Sequence, residues 1–522
     1  MKSARACDAA RRAVGVAILS GACLLAACGG GGGGGGGAAL PLPVAAAPAP
    51  PAESSEPIVA ASSVQGQCAA PRFGVDPDTG AAFPDRAGSL DTEKSWVRAW
   101  VDETYLWFDQ VPTTLAARDY ATPQAYFAVL KTPATTATGR PRDRFHFTQD
   151  TAAYRASAQS GIEVGYGLEL AFLSAAPPRD VRVAFAEPGS PAAAAGIERG
   201  TRLVEVDGIE VANGADVAAL NAALAPAREG ESHGFRLQAP DGSLRSVTLT
   251  SQRITRQPVQ NVKTIASASG PVGYLLFNDH MANAEAPLVA AIQQLKAAAV
   301  VDLVIDMRYN GGGLLDIASE LAFMVAAPAA TGGTTFERLQ FNARNPFGLT
   351  PAQTTLPFHA TSRGFSVPAG QPLPQLGLSR VTVLAGPDTC SASESVINGL
   401  RGVGVAVNLV GGTTCGKPYG FFPQDNCGTT YFAIQFQGVN QQGFGDYGDG
   451  FAPTCAVADD FGHALGDPAE ARLAAALAYR NTGSCPAAPA AKASAALVKA
   501  EAEGVPYLVR SPLRENRIVA LP

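Results

Sequence analysis

The sequence predicts a multidomain α/β protein made of a helical N-terminal domain, a small β-rich domain and an α/β core with parallel strands. Three observations carry this. The chain has 522 residues, enough for several domains at roughly 100–200 residues each. Its second half holds four short, unalternated apolar runs, 273–277, 300–307, 381–386 and 405–411, as strands buried on both faces require; helical patterns at 284–299, 314–326 and 392–401 separate them. Ahead of these, short β-rich runs fill 161–256.

In order along the chain, residues 1–27 read as an export leader. Lys2, Arg5, Arg11 and Arg12 precede an apolar run, 13–27, that is short for a bilayer span. The run closes in Leu25-Ala26-Ala27-Cys28, which resembles the lipobox of bacterial lipoproteins. That resemblance implies lipidation of Cys28 and attachment to a membrane facing the periplasm. Gly29 stands where inner-membrane retention signals carry Asp, which favours the outer membrane. Residues 28–67, with Gly29 to Gly37 unbroken and then Ala, Pro and Ser, read as an unfolded tether.

Composition excludes some partners. A net charge of −6 without a Lys/Arg cluster argues against nucleic acid. Five scattered histidines and no CxxC pair give no metal-ligand spacing, and no cofactor is implied. Of nine cysteines, Cys68, Cys390, Cys415, Cys427, Cys455 and Cys485 follow Cys28; they can form three disulfides in an oxidising compartment.

Residues 68–160 read as the helical domain. Over 91–109, Trp96, Trp100 and Trp107 recur with Val97, Val101 and Tyr105 at near-helical spacing, which places all three tryptophans on one helix. The stripe reads as core, and a second helical patch covers 124–130. In the β-rich 161–256, with a helix expected over 215–224, the stretch Gly189–Val211 resembles PDZ domains of bacterial proteases through its small-residue helix, Gly196, Gly200 and the Asp207-Gly208 turn. The resemblance implies that the amides of Gly165, Tyr166, Gly167 and Leu168 receive a peptide carboxylate while an open strand edge pairs with the peptide.

The third region, 262–482, carries the chemistry. Strand 300–307 runs into Arg308-Tyr309-Asn310-Gly311-Gly312-Gly313, whose glycines let backbone amides face a ligand. Strand 381–386 runs into Cys390-Ser391-Ala392-Ser393-Glu394 at a helix start, where free amides and the helix dipole favour a developing oxyanion. Ser391 therefore reads as a nucleophile. Neither loop offers a histidine, and Lys417, after the buried strand 405–411, reads as its base; a desolvated lysine is the kind that accepts a proton near neutral pH.

Together these features resemble the tail-specific, or C-terminal processing, peptidases of family S41. The likeness rests on Asp306-Met307-Arg308-Tyr309-Asn310-Gly311-Gly312-Gly313, on Ser391–Glu394 and on Thr414-Cys415-Gly416-Lys417, and spans 161–479. It implies a ClpP/crotonase-like catalytic core, Ser391 as nucleophile, Lys417 as general base, the Gly313 and Ala392 amides as oxyanion hole, and a protein or peptide substrate. One position departs from the pattern: Phe421 stands where many members carry a glutamine that orients the lysine, so backbone carbonyls or Gln424 are expected to do this. A Cys415–Cys427 bridge is expected to close the lysine loop. His280 and His463 read as structural, away from any nucleophile. Residues 331–380 have no assignable role, and the 483–522 tail ends in an apolar alternation that reads as one added strand.

Overall fold

The computed structural model describes residues 58–487, apart from residue 78, together with residues 517–518. The expected leader, Cys28, and much of the tether and of the 483–522 tail lie outside the described residues. Residues 58–67, which composition assigns to the tether, carry a helical turn, Ala61–Val64. Ala61 is buried among the N-terminal aromatics, and its amide donates to Glu103 Oε1 at 2.8 Å.

The N-terminal helix α1, Leu90–Thr104, starts on a capping box in which Ser89 and Thr92 exchange side-chain and backbone hydrogen bonds. It buries Trp96 and Trp100 against Phe127 and Tyr431. The stripe is core, as expected, but α1 stops before Trp107. Tyr105 turns the backbone out of the helix, and Trp107 packs edge-on against Tyr419 at 4.8 Å, two residues past Lys417. Tertiary packing overrides the helical spacing there.

The β-rich region forms a sheet from β1 (Leu168–Ser174), β2 (Asp180–Ala186), β3 (Arg202–Val206), β4 (Ser232–Gln238) and β5 (Leu244–Thr250), in spatial order β5-β4-β3-β2-β1. A helix α2, Val217–Leu224, lies between β3 and β4 in sequence. Strand β1 is an edge: among the described residues it pairs only with β2.

The core sheet contains β6 (Val259–Ile265), β7 (Val272–Phe277), β8 (Asp302–Asp306), β10 (Arg380–Ala385), β11 (Ala406–Gly411) and β13 (Cys455–Ala456), in that spatial order. From β7 to β13 every pairing is parallel, and β6 adds antiparallel to β7. The two-residue strands β9 (Gly313–Leu314) and β12 (Tyr419–Gly420) lie outside this sheet. Helices α3 (Glu285–Ala297), α4 (Leu315–Val325) and α5 (Ala392–Gly402) follow β7, β8 and β10 and share one apolar cluster with them, while α6 (Ala471–Thr482) packs in the cluster on the opposite face. Apolar cover on both faces explains the unalternated strands. Segment 331–380 also belongs to the core: Thr335–Phe341 pairs with Phe436–Val439, and Phe336 packs against Gly399 of α5.

Two polar junctions join the PDZ-like domain to the core. In one, Arg199 reaches Tyr309 Oη and Asp459 at 2.7 Å, while Arg308, fully buried, holds Asp306, Asp459 and Glu470. In the other, buried Arg256 pairs with Asp279 and lies 3.7 Å from Glu187, 3.9 Å from Glu163 and 4.0 Å from Glu169. Burial pushes Glu187 and Asp279 up to about 6 each, although Arg256 opposes it.

Because both carboxyls bind protons more tightly in the folded chain, they add stability that is complete below about pH 4 and is lost as pH rises through about 6. Asp279→Asn should remove roughly half of that decline in melting temperature between pH 4 and 7; an unchanged slope would contradict the assignment.

Candidate active site

The loop after β10 is drawn tight before α5 begins. Thr389 Oγ1 accepts from the Gly386 amide and donates to Met307 O, both at 2.9 Å, and the Cys390 amide donates to Asn310 O at 3.1 Å. Ser391 then sits at φ +59°, ψ −116°, a left-handed conformation unusual for a residue with a side chain. Such strain persists only where its surroundings hold it. Ser391 is fully buried, and its Oγ has no hydrogen-bond partner among the described residues. Ala392 opens α5.

What holds the serine is Glu394, one turn into α5. Its Oε2 accepts from the Ser391 amide at 3.0 Å and from the Lys417 amide at 2.8 Å. Its Oε1 accepts from the Gly416 amide at 2.9 Å and from Thr414 Oγ1 at 2.5 Å. One carboxylate thus ties the serine loop to the lysine loop. Burial raises its pKa above the usual carboxylate range, and these four donors oppose the rise.

Covalent and backbone links reinforce the tie. Cys390, next to Ser391, is bonded to Cys415, two residues before Lys417, with Cα atoms 5.1 Å apart. The Cys415 amide donates to Thr389 O at 3.0 Å. The expected Cys415–Cys427 bridge is therefore incorrect. Cys427 pairs with Cys68 and Cys455 with Cys485, because β11 returns Cys415 to the serine loop while Cys427 lies on a separate hairpin, 424–432, beside the N-terminal segment.

Lys417 is fully buried, with Nζ 4.6 Å from the Phe421 ring centre and 4.9 Å from that of Phe145. Phe421, the departure from the glutamine pattern, is thus a wall of the lysine site. The side-chain nitrogen of Gln424 donates to Asp425 O at 3.3 Å. From the N-terminal domain, Arg140 and Arg144 donate to Cys415 O, and Arg144 also to Gly416 O at 3.3 Å.

The glycine loop lies against the serine loop through Asn310. Its carbonyl accepts from the Cys390 amide and from Ser393 Oγ at 3.0 Å, while its side-chain oxygen accepts from the Gly312 amide at 2.9 Å. Gly313 has φ +139°, and a Cβ there would come within 2.6 Å of His280 O, so no larger residue fits. His280 lies against this glycine loop. Its amide donates to Gly312 O, its carbonyl accepts from Leu314, and its ring lies 3.0 Å from Asn310 Oδ1. Since that oxygen is an acceptor, His280 Nδ1 carries the proton. Burial holds the ring neutral by pulling its pKa down to about 3. His463 is exposed and paired with Asp460 at 2.7 Å.

In the PDZ-like domain, Gly165-Tyr166-Gly167 lead into the open strand β1 at Leu168. Tyr166 is buried, and its hydroxyl donates to Ala223 O of α2 at 3.1 Å, which joins this loop to α2. Gly167, at φ +75°, lies so close to Ser190 that a Cβ would approach it to 2.2 Å.

Ser391, Lys417, Gly313 and Ala392 thus lie on three interlocked loops. The sequence reading missed Glu394 as their link, Asn310 as the clamp between the serine and glycine loops, and His280 as its neighbour. An acid three residues after a serine at a helix start is a capping pattern that points to the first of these.

Residues 271–425 match the family model of Peptidase family S41, residues 92–147 that of the Peptidase S41 N-terminal domain, and residues 182–229 that of the PDZ domain. The chain is 31% identical over 264 residues to a carboxyl-terminal-processing protease of Picosynechococcus sp., covering 49% of this chain and 55% of that one. It is 30% identical over 246 residues to a chloroplastic C-terminal processing peptidase of Tetradesmus obliquus, covering 44% of this chain and 49% of that one. The match thus spans about half the length of these relatives. A structure from Bacteroides fragilis, described as that of an S41 protease, superimposes with a TM-score of 0.57 at 21% identity, over 74% of this chain and 97% of that one, and so shares the fold. Three successive parts of the chain thus resemble an S41 N-terminal domain, a PDZ domain and the S41 peptidase region within one multidomain α/β fold, and C-terminal processing proteases are its homologues over about half of their length.

Proposed function

We propose that the protein is a serine endopeptidase that cleaves protein or peptide substrates through Ser391 and Lys417, with the PDZ domain presenting the substrate. The observation that carries this reading is the Glu394 carboxylate, which accepts amide hydrogens from both residues. It fixes a serine with an unpartnered hydroxyl beside a buried lysine in one desolvated centre.

In this mechanism Ser391 Oγ attacks the scissile carbonyl carbon as Lys417 Nζ takes the hydroxyl proton. The oxyanion accepts from the Gly313 and Ala392 amides, the latter at the N-terminus of α5. Collapse of the tetrahedral intermediate breaks the C–N bond, and Lys417 returns the proton to the leaving amine. Water, deprotonated by Lys417, then hydrolyses the ester and frees Ser391. Gly165, Tyr166, Gly167 and Leu168 receive the substrate's carboxylate, and β1 pairs with its backbone.

The site faces an oxidising compartment. Three disulfides join the described residues, as exported proteins favour, and no described helix is long and apolar enough to cross a membrane. Lipidation at Cys28 would attach the enzyme to a membrane, the outer one favoured, on its periplasmic side.

Digestion of an unstructured protein, read by mass spectrometry, tests the activity. Ser391→Ala and Lys417→Ala should each lower kcat by at least about 10³-fold with an unchanged fold; products that persist in both variants would rule out the Ser-Lys pair. A wild-type chain that binds peptide but yields no products would instead indicate a silent PDZ-containing binding lipoprotein. Glu394→Gln places an amide N–H₂ against backbone donors and should cut kcat by roughly 10²-fold with little change in KM, since each unpaired buried donor costs about 1–3 kcal/mol. Full activity in that variant would show that the carboxylate only fills space. Joint replacement of Cys390 and Cys415 by Ala should cost about 3 kcal/mol of stability and lower kcat; unaltered kcat would show that the bridge does not set the catalytic geometry.

A further inference from the structure

Beyond residue 487 the described residues form the strand β14, Arg517–Ile518, which pairs in parallel with β9: Gly313 opposite Arg517, Leu314 opposite Ile518. Its Cα atoms also lie within 8 Å of those of β12, Tyr419–Gly420. One flank is thus the glycine loop that holds the expected oxyanion amide of Gly313, and the other begins two residues after Lys417. A strand in this position thus runs beside both the glycine loop and the segment that follows Lys417.

From this placement we propose that β9 is the edge on which substrates are held as an added strand, and that the chain's own strand Arg517–Ile518 occupies it as an intramolecular competitor. The proposal rests on the peptidase reading above. The surroundings of β9 favour an apolar occupant: Leu314 packs with Phe147 and Tyr154 against the buried Phe421 and Phe432. The sequence from Ile518 onward, Ile-Val-Ala-Leu, is apolar in kind. Main-chain pairing along a sheet edge supplies affinity without demanding a particular sequence, so one edge can take both the tail and an extended substrate segment with apolar side chains.

Tethering makes such competition effective. Cys485 is fixed to Cys455, and the stretch from there to Arg517 can span on the order of 100 Å when extended. A flexible tether of this kind holds its end at an effective concentration up to about the millimolar range. A tail that binds only weakly as a free peptide therefore still raises the apparent KM for substrates, while kcat at saturation is unchanged.

The test compares the full chain, the full chain carrying Ile518→Pro, and a chain ending at Arg510. Proline removes the strand's N–H and cannot sit in a paired strand without loss. Hydrogen–deuterium exchange read on peptides covering 309–316 and 415–423 should be roughly tenfold faster in both altered chains, with peptides covering β1 of the PDZ domain unchanged. A synthetic peptide of residues 511–522 added to the shortened chain should restore protection. With an unstructured protein as substrate, KM should fall several-fold in both altered chains and rise again, competitively, with the synthetic peptide. Unchanged exchange at 309–316 in both altered chains, or faster exchange with KM unaffected, would overturn the proposal. If no chain cleaves any substrate but exchange changes as described, occupancy of β9 stands and the peptidase reading fails.

Discussion

The arrangement of the site depends on one buried carboxylate. Glu394 belongs to the helix that Ser391 opens, yet three of the four hydrogen bonds described for it come from the loop that carries Lys417. A buried carboxylate is costly unless every lone pair is used. Here the cost becomes a constraint: the acid is satisfied only when the serine and lysine loops are in register. The Cys390–Cys415 bond and the strained backbone of Ser391 fit the same constraint, since each needs the two loops at a fixed separation.

The other domains bear on these loops. The N-terminal domain packs Trp107 against Tyr419 and sends Arg140 and Arg144 to the carbonyls preceding Lys417. The PDZ domain reaches the glycine loop from two sides. Arg199 bonds Tyr309 within the loop, and Arg256 bonds Asp279, the neighbour of His280, whose carbonyl limits position 313 to glycine.

Much of this was legible in the sequence where it depends on local pattern. The unalternated runs marked the parallel strands because burial on both faces leaves no polar position. Asn310 to Gly313, Ser391 to Glu394 and Thr414 to Lys417 marked the loops because backbone amides, a helix start and an amine require those residue types. What could not be read depends on chain return. Cys415 meets Cys390 rather than Cys427 because parallel strands β10 and β11 end side by side, a fact of the sheet and not of spacing. Trp107 matched helical periodicity but leaves α1, since Tyr419 offers it a better contact. Phe421 looked like a defect against the glutamine pattern, while in the fold its ring lines the lysine. Ala61 looked like part of a linker because composition cannot register a single buried contact.

The most direct measurement is the mass shift of the intact protein after exposure to a serine-directed phosphonylating reagent, with the modified residue located by peptide mapping. A centre in which Lys417 activates a strained, buried serine predicts one adduct, on Ser391, formed much more slowly when Lys417 is replaced by Ala. An adduct on another serine, or labelling of Ser391 at the same rate without Lys417, would contradict it.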